Sequence, residues 1–199
     1  YDTKRRVMKK IWILNHHSGL KGDRHYELAK EMVETGLEVV IFLSSFDHVS
    51  KVYRYDKEVV IQRIQDGVTY VWLHTSPAYH GNGAARILNM MDYSRLMRKY
   101  KKKFYERFGK PDAVIGSSVH PFAWESACRI AKECKIPFIC EIRDFWPLSF
   151  IEIYGWFKYH PVCLMFSALE RRAYRRADAI VMTMEFGYQY LKQFPYVKK

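Results

Sequence analysis

The sequence predicts an α/β protein built on a Rossmann-like, open and mostly parallel sheet with helices on both faces. Hydrophobic residues make up 49% of the 199 residues, which is enough for a substantial core. Short and almost wholly apolar runs, typical of strands buried on both faces, alternate with amphipathic runs of helical period. One interruption of this alternation, between residues 44 and 83, has the pattern of a β-hairpin insertion.

The first strand, helix and second strand are predicted from the beginning of the chain. Residues 10–15 are an apolar run that follows a polar tail at residues 1–9. Asp23 is a favourable N-cap for the next helix, and Gly36 is a favourable stop. Residues 37–43 form the second apolar run, and two parallel strands joined through a helix make a right-handed crossover.

The inserted hairpin and a long helix come next. Residues on both sides of Asp66-Gly67 alternate between apolar and polar, and an Asp-Gly pair favours a two-residue hairpin turn. A helix is predicted over residues 84–108 because large apolar residues recur there every three or four positions. Its expected buried stripe comprises Tyr93, Met97, Tyr100, Phe104 and Phe108.

The alternation of strands and helices resumes after the long helix. Further strands are predicted at residues 112–118, 136–144 and 178–184. Further helices are predicted at residues 121–134, 161–177 and 185–194. We therefore expect one domain over residues 10–199.

The formal net charge of +12 indicates an anionic partner, which is a phosphorylated ligand, an acidic membrane surface or nucleic acid. Residues 95–110 contribute eight lysines and arginines against one acid, Glu106. This basic helix either binds an anionic membrane surface or is an ordinary solvated helix face. No nucleic-acid-binding motif is present, so nucleic acid is not an expected partner.

Cysteine spacing and the lengths of the apolar runs bear on location. The four cysteines lack the spacing of a redox or zinc motif, which predicts reduced and mostly buried thiols. The sequence shows no signal-peptide pattern and no uncharged apolar run of about 20 residues. We expect a cytoplasmic protein, held peripherally at the inner face of the plasma membrane if the basic helix binds lipid.

Candidate site residues lie in three loops that follow predicted strands, at residues 16–23, 117–121 and 143–150. Ligands of an open parallel sheet bind at the carboxyl ends of its strands. The three loops should therefore meet at one edge of the sheet and form one polar cleft wall.

The first of these loops has the features of an anion-binding turn. Gly19 and Gly22 lack a Cβ, so a ligand can approach the backbone closely. The helix that begins at Arg24, after Asp23, directs free N–H groups and a positive dipole end towards the loop. The alternative is that the glycines only make a short turn, and the spacing fits neither G-x-G-x-x-G nor a Walker loop.

The other two loops carry a histidine and an adjacent arginine–aspartate pair. His120, beside Ser118, either hydrogen-bonds a sugar hydroxyl or carries a proton, or else is a surface residue. Asp144 either accepts a hydrogen bond from a substrate hydroxyl while Arg143 meets a phosphate, or the two form a structural ion pair. The aromatic segment 145–166 either lies at a membrane interface or packs on a neighbouring domain.

Several stretches of the chain resemble family 4 glycosyltransferases, the retaining enzymes of GT-B fold. GLKGDRHYELAKEMVETGLEVVIF (19–42) resembles the N-terminal signature of that family. YHGNGAARILNMM (79–91) and EIRDFWPLSF (141–150) are similar to the subgroup that builds O-antigen, capsule and colanic acid, including the N-acetyl-L-fucosamine transferases. RRADAIVMTM (175–184) fits the segment that closes the first domain.

The resemblance implies the N-terminal, acceptor-side half of a GT-B fold, with the donor-binding C-terminal domain absent from this chain. It implies transfer from a UDP- or GDP-sugar to a lipid-linked saccharide, with no metal ion or other cofactor, in surface polysaccharide biosynthesis. His120 and Asp144 would be catalytic, and residues 79–86 would form a mobile acceptor loop. The implied donor- and acceptor-binding residues are Gly19, Gly22, Asp23, Arg24, Tyr79, Arg86, Ser118 and Arg143.

Two functions are therefore carried forward. The first is half of a nucleotide-sugar-dependent glycosyltransferase, inactive as an isolated domain. The second is a non-catalytic α/β module that docks on an anionic membrane or another polyanion through residues 95–110. Glu125 and Glu133 have the spacing of the family's E-x₇-E element, but they lie in a predicted helix of the first domain and are not expected to touch a donor.

Overall fold

The computed structural model describes residues 10–64 and 66–197, and the tail predicted at residues 1–9 lies outside the described residues. The strands are β1 (Lys10–Leu14), β2 (Glu38–Ser44), β3 (Val59–Arg63), β4 (Thr69–Leu73), β5 (Ala113–Ser117), β6 (Phe138–Ile142) and β7 (Ala179–Met182). The helices are α1 (Arg24–Glu34), α2 (Ala84–Phe108), α3 (Pro121–Cys134), α4 (Leu148–Tyr154), α5 (Pro161–Arg176) and α6 (Gly187–Leu191).

The seven strands form one sheet in the order β3-β4-β2-β1-β5-β6-β7. Neighbouring strands are parallel throughout, except that β3 and β4 are antiparallel. The prediction of an open, mostly parallel sheet with an inserted hairpin is confirmed. The predicted two-residue turn is wrong, because Arg63 pairs with Thr69 and Ile64 bonds to Val68, which leaves more than two residues in the turn.

The sheet is buried on both faces, as the unbroken apolar sequences of its central strands require. In β1, Trp12 and Leu14 pack in a core that includes residues of α2, α3 and α5. Ile11 and Ile13 point to the opposite face and pack in a core that includes residues of α1. Successive side chains of a strand alternate between faces, so one short strand contributes to two cores.

Gly116 lets α3 pack directly on β5. A Cβ at Gly116 would lie 2.9 Å from Cβ of Ala127 and 3.3 Å from Cα of Trp124. This close approach fixes the first turn of α3, which begins at Pro121, near the carboxyl end of β5. The loop that contains His120 is therefore short and held at both ends.

Helix α4, within the aromatic segment 145–166, is absent from the sequence prediction. Its anchor is aromatic packing between distant residues. The ring of Trp146 lies 5.0 Å from both Phe150 and Phe166, and Phe150 stacks on Phe166 at 5.5 Å. A seven-residue helix has little stability of its own, so this tertiary packing accounts for it. The last helix is predicted over residues 185–194, but α6 spans only Gly187–Leu191.

The cysteine prediction agrees with the structure. All four cysteines are free, and three of them are buried. They are Cys128, Cys134, Cys140 and Cys163, of which Cys134 is partly exposed.

A buried acid connects α5 with α6. Tyr174 donates a hydrogen bond of 2.9 Å to Glu170, and Tyr190 donates to both carboxylate oxygens of Glu170 at 2.9 and 3.1 Å. Burial raises the pKa of Glu170 to about 7, although the two tyrosine hydroxyls partly offset that effect. Glu170 therefore holds a proton in the folded protein at pH values where it would be ionised in the unfolded chain.

We expect the free energy of unfolding to fall as the pH rises from about 4.5 to about 7, because only the unfolded chain loses this proton over that range. The raised pKa of Glu170 corresponds to a change of about 3 kcal/mol in the free energy of unfolding over this pH range. Glu170→Gln, which is neutral at every pH and keeps an acceptor oxygen, should lose this part of the pH dependence. Urea denaturation of both proteins at about pH 5 and about pH 8 measures it. The same pH dependence in both proteins would contradict the assignment.

Candidate functional site

β1 and β5 run side by side at the centre of the sheet, and polar side chains meet at their carboxyl ends, a place that we call the crevice. The chain leaves β1 for α1 on one face and leaves β5 for α3 on the other, so the two loops separate at the carboxyl ends of the strands. His16 follows β1 and His120 follows β5. Nδ1 of His16 lies 2.5 Å from Nε2 of His120, and both rings are buried.

The loop after β6 joins the same edge of the sheet through Ser118. The Ser118 hydroxyl accepts hydrogen bonds from the backbone N–H groups of Arg143, at 2.8 Å, and Asp144, at 3.4 Å. The loops after β1, β5 and β6 are thus linked by direct contacts. Their predicted convergence at one edge of the sheet is observed.

Four imidazoles form a contiguous group, which we call the histidine cluster: His16, His17, His48 and His120. The ring of His17 lies 4.6 Å from that of His16 and stacks on His48 at 4.3 Å, and the rings of His16 and His120 are 4.7 Å apart. The Tyr79 hydroxyl lies 3.1 Å from Nε2 of His17. Residues from four separate parts of the chain therefore meet in one group.

Burial disfavours the charged form of the histidines in the cluster. Burial, followed by the influence of His120, lowers the pKa of His16 well below its usual value. Burial also lowers the pKa of His17 well below the usual value, and the next largest cause is His16. For His120 the cause of the lowered pKa is again burial, followed by His17. Burial lowers the pKa of His48 as well. Neutral imidazoles each offer one hydrogen-bond donor and one acceptor, and Nδ1 of His120 has no partner among the described residues.

Two arginines and an aspartate border the histidine cluster. The charges of Arg86 and Arg143 both contribute to the lowered pKa of His17, which shows that they lie within electrostatic range of it. Nε of Arg86 and Nη1 of Arg143 are buried and have no hydrogen-bond partner among the described residues. Burial raises the pKa of Asp144, and the two arginines offset part of this effect. Unsatisfied guanidinium N–H groups beside neutral imidazoles suit an anionic, hydroxylated ligand.

A second polar network, absent from the sequence prediction, ties α1 to β6. Nε2 of His25 donates to Glu141 at 2.6 Å, and Arg24 pairs with Glu141 at 2.7 Å. Nδ1 of His25 lies 2.9 Å from the Asn15 amide nitrogen and 3.7 Å from Oδ1 of Asp23. Burial alone would lower the pKa of His25, but the carboxylates of Asp23 and Glu141 outweigh it and raise that pKa. This network fixes the start of α1 relative to β6, and so positions two of the three loops.

The predicted glycines lie in the loop between β1 and α1. Gly22 has a φ of +88°, in the left-handed region that favours glycine, and no atom lies within 4 Å of a Cβ built there. The backbone carbonyl of Gly19 accepts a hydrogen bond of 3.1 Å from Tyr70. A cavity of about 120 Å³ beside this loop is lined by Gly19, His17 and His48 among others. The loop is thus shaped by a specific turn and also leaves space next to its backbone.

Three other predicted binding residues make structural contacts. Asp23 is the N-cap of α1, where Oδ1 accepts from the His25 N–H at 3.0 Å, and its pKa is lowered to about 2 because hydrogen bonds to His25 and Gly19 outweigh burial. Arg24 pairs with Glu141, and Ser118 holds the loop after β6. Substrate contact by these three side chains stays a prediction.

The predicted acceptor loop has a firm start and end. Tyr79 is buried, with its ring 4.8 Å from Phe46, and Arg86 lies in the first turn of α2. Only residues 80–83 form an exposed connection between them. Mobility of this loop stays a prediction.

The sequence prediction included His120 but not His16, His17 or His48. Two adjacent histidines directly after a buried strand were a usable signal for His16 and His17, because the carboxyl end of that strand is where a ligand binds. His48 carries no comparable signal. It lies in an irregular stretch after β2, and only the folded chain brings it onto His17.

Two features are absent from residues 10–64 and 66–197. No group of three or more histidine, cysteine, aspartate or glutamate side chains there could hold a metal ion. No helix of that part of the chain combines the length and the apolar character needed to cross a membrane.

Comparison with known proteins identifies both a family and a fold. The family described as "Glycosyl transferase 4-like domain" matches residues 22–198. The structure of UGT2 from Phytolacca americana with UDP-2fluoro-glucose and pterostilbene is similar, with a TM-score of 0.57 and 14% identity over 96% of this chain and 52% of that one. UGT89C1 from Arabidopsis thaliana with UDP gives a TM-score of 0.54 and 14% identity over 93% of this chain and 48% of that one.

These similarities show that the fold is the Rossmann-like N-terminal domain of GT-B glycosyltransferases. The chain spans about half the length of the solved structures that it matches. No curated protein sequence matches the chain.

The electrostatics of the crevice can be checked by an NMR titration of the imidazole nitrogens. We expect His16, His17 and His120 to stay neutral down to pH values well below 6.5, because burial disfavours their charged forms. When the pH is lowered, His25 should gain its proton while the pH is still above 6.5, because Asp23 and Glu141 stabilise its cation. A histidine in a short unstructured peptide, measured in the same buffer, provides the reference of ordinary pKa. Titration of the three cluster histidines together with this peptide would contradict the described burial.

Proposed function

Because the chain belongs to the glycosyl transferase 4-like domain family, we propose that it forms the acceptor-side half of an enzyme that transfers a sugar from a nucleotide-sugar donor to a saccharide acceptor. The observation that carries this proposal is the meeting of the histidine cluster with Arg86, Arg143 and Asp144 at the crevice between β1 and β5. The donor-binding half would be a second domain that closes over this crevice.

The chemistry of sugar transfer requires groups of this kind. As the bond between the sugar carbon and the diphosphate breaks, negative charge develops on the departing nucleotide diphosphate. Arg86 and Arg143 would stabilise that charge with guanidinium N–H groups that have no partner in the described residues, and the N-terminus of α1 would add its dipole. In this proposal the arginines and the backbone dipole do the work that a metal ion does in other transferases.

The remaining groups would orient the reacting hydroxyls. Neutral His120 would hydrogen-bond a hydroxyl of the donor sugar through Nδ1, which has no partner among the described residues. Asp144 would accept a hydrogen bond from the acceptor hydroxyl that attacks the sugar carbon. Gly19 and Gly22 would let a phosphate or a hydroxyl approach the backbone. Asp23, Arg24 and Ser118 would act by holding the three loops in place.

We further propose a UDP- or GDP-sugar donor and a lipid-linked saccharide acceptor in surface polysaccharide biosynthesis. The support for this part is the resemblance of residues 79–91 and 141–150 to enzymes of that subgroup, together with the net charge of +12, which favours an anionic acceptor and an anionic membrane. A lipid-linked acceptor would place the enzyme peripherally at the cytoplasmic face of a membrane.

The alternative function, a non-catalytic module that docks through residues 95–110, has less support. Lys99 of this helix pairs with Glu58 at 2.7 Å. Arg95 and Lys101 also form ion pairs with acidic side chains. Part of the positive charge that the sequence assigns to this helix is therefore neutralised within the domain.

The proposed activity is tested by incubating the full-length protein with a panel of UDP- and GDP-sugars and a short-chain, water-soluble analogue of a polyprenyl-diphosphate saccharide. Transfer of one sugar without added metal is the expected result. Hydrolysis or transfer that depends strictly on an added divalent ion would contradict the proposed role of the two arginines.

With an active donor and acceptor in hand, His120→Ala should reduce turnover by roughly 10²-fold or more, because a hydrogen bond near the reacting carbon is lost. His160→Asn is the matched control, since His160 lies outside the crevice and Asn can still accept the hydrogen bond that caps α5. Circular dichroism establishes that both variants are folded. Near-normal turnover by folded His120→Ala would refute the assigned role.

A further inference from the structure

The loop after α4 and the first turn of α5 present apolar side chains to solvent. Ile153, Phe157, Tyr159 and Leu164 are 71%, 67%, 59% and 52% exposed. We call residues 153–164 the apolar tip. Single exposed hydrophobic residues are common on proteins, but four large ones within twelve residues indicate an interaction surface.

The apolar tip is anchored by packing between aromatic rings of α4 and α5. Trp156 is partly buried, with its ring 4.7 Å from Phe150, and Phe150 in turn stacks on Phe166 of α5. One side of this segment is therefore fixed by packing while the other side is free. A segment anchored in this way can present its exposed rings without first having to become ordered.

Arginines continue the same surface along α5. Leu164 of the apolar tip lines a groove of about 500 Å³ together with Arg171, Arg172, Arg175 and Arg176. A second groove, of about 520 Å³ between α2, α3 and α5, shares Arg172 and Arg176 with the first. It adds the basic side chains of Arg98, Lys101, Arg129 and Lys132.

Internal acids neutralise only part of this charge. Glu125 pairs with Arg129 at 2.6 Å and with Arg172 at 3.2 Å. Glu133 pairs with Lys101. Arg176 donates to Sγ of Cys128 at 3.8 Å. The other cations of the two grooves that make no salt bridge with a described residue are Arg98, Lys132, Arg171 and Arg175. We call these four residues the cationic band.

We propose that the apolar tip and the cationic band together dock on an anionic lipid bilayer. The charge of the band is complementary to anionic headgroups, and exposed aromatic and aliphatic side chains beside cations match the boundary between headgroups and acyl chains. This inference rests on the proposed function, which it deepens by naming a surface built on α4 and α5, to which α2 contributes Arg98 and α3 contributes Lys132.

The placement of the surface fits a lipid-linked acceptor. Helix α5 leads into the parallel strand β7, so its N-terminus and the apolar tip lie at the same edge of the sheet as the crevice. Asp144 of the crevice precedes α4 by only a few residues. A diphosphate at headgroup level would therefore lie close to the crevice when the tip is inserted.

The test uses the full-length protein and co-sedimentation with vesicles of phosphatidylcholine alone or mixed with phosphatidylglycerol. Binding should require phosphatidylglycerol and weaken with salt. The triple variant Arg98→Gln, Arg171→Gln and Arg175→Gln should bind at least ~10-fold more weakly. Its matched control, with the same loss of charge on α1 and near β3, is Lys30→Gln, Lys57→Gln and Arg63→Gln, which should bind like the wild type.

The apolar tip is tested in the same assay. The double variant Ile153→Ser and Phe157→Ser should also lose roughly 10-fold in vesicle binding, whereas Leu28→Ser with Ile61→Ser, on the opposite side of the domain, should not. Lipids brominated in the acyl chain should quench fluorescence from Trp156, because Trp12, Trp72, Trp124 and Trp146 are buried. Trp156→Phe should remove the part of that quenching that comes from this domain.

Equal binding to neutral vesicles, or no vesicle binding at all, would overturn the proposal. So would a tip variant that binds vesicles normally but unfolds more easily, which is the result expected if a protein domain covers the apolar tip. Sugar transfer to the water-soluble acceptor, measured on the same variants, separates this proposal from the proposed function. Normal transfer without any vesicle binding would reject the docking surface alone. The expected vesicle pattern without any transfer would reject the proposed function and support the surface.

Discussion

The pairing of β1 with β5 is the constraint on which the polar crevice depends. Parallel pairing of Ile13 with Ile115, and of Leu14 with Gly116, sets the two strand ends at the same level. The chain then turns to opposite faces of the sheet, so no connection crosses the gap between the two loops. Because α3 packs directly on Gly116, the loop that carries His120 has little freedom, and the contact between His16 and His120 follows from the placement of the strands.

The crevice and the network beside it show two different uses of histidine. His25 is buried against carboxylates that stabilise its cation, and its contacts hold α1 to β6. In the histidine cluster, His16 and His120 are buried without a carboxylate partner, and burial lowers the pKa of both well below the usual value. Contacts between neutral rings are weak compared with ion pairs. An arrangement of neutral rings beside unsatisfied guanidinium groups contributes little to folding, but it gives an arriving anion favourable partners.

The sequence was sufficient for most of the fold because the fold depends on local signals. Apolar runs marked the strands, Asp23 marked the start of α1, and Asp66-Gly67 marked the hairpin. Features that depend on contacts between distant residues were not predictable. Helix α4 exists through aromatic packing, His16 meets a residue 104 positions away, and Lys99 finds an acid 41 positions earlier. The positions of the strand ends could be predicted from the sequence, but only some of the side chains that meet at those ends could be predicted.

The central claim is that the loops after β1, β5 and β6 form one wall of one substrate site. Hydrogen–deuterium exchange of the full-length protein, with and without the nucleotide sugar and acceptor that support transfer, tests it most directly. We expect residues 16–23, 117–121 and 143–147 all to gain protection from exchange. The ligand concentration that gives half of the maximal protection should be the same for all three loops. Protection confined to one of these loops, or found only elsewhere in the domain, would contradict it.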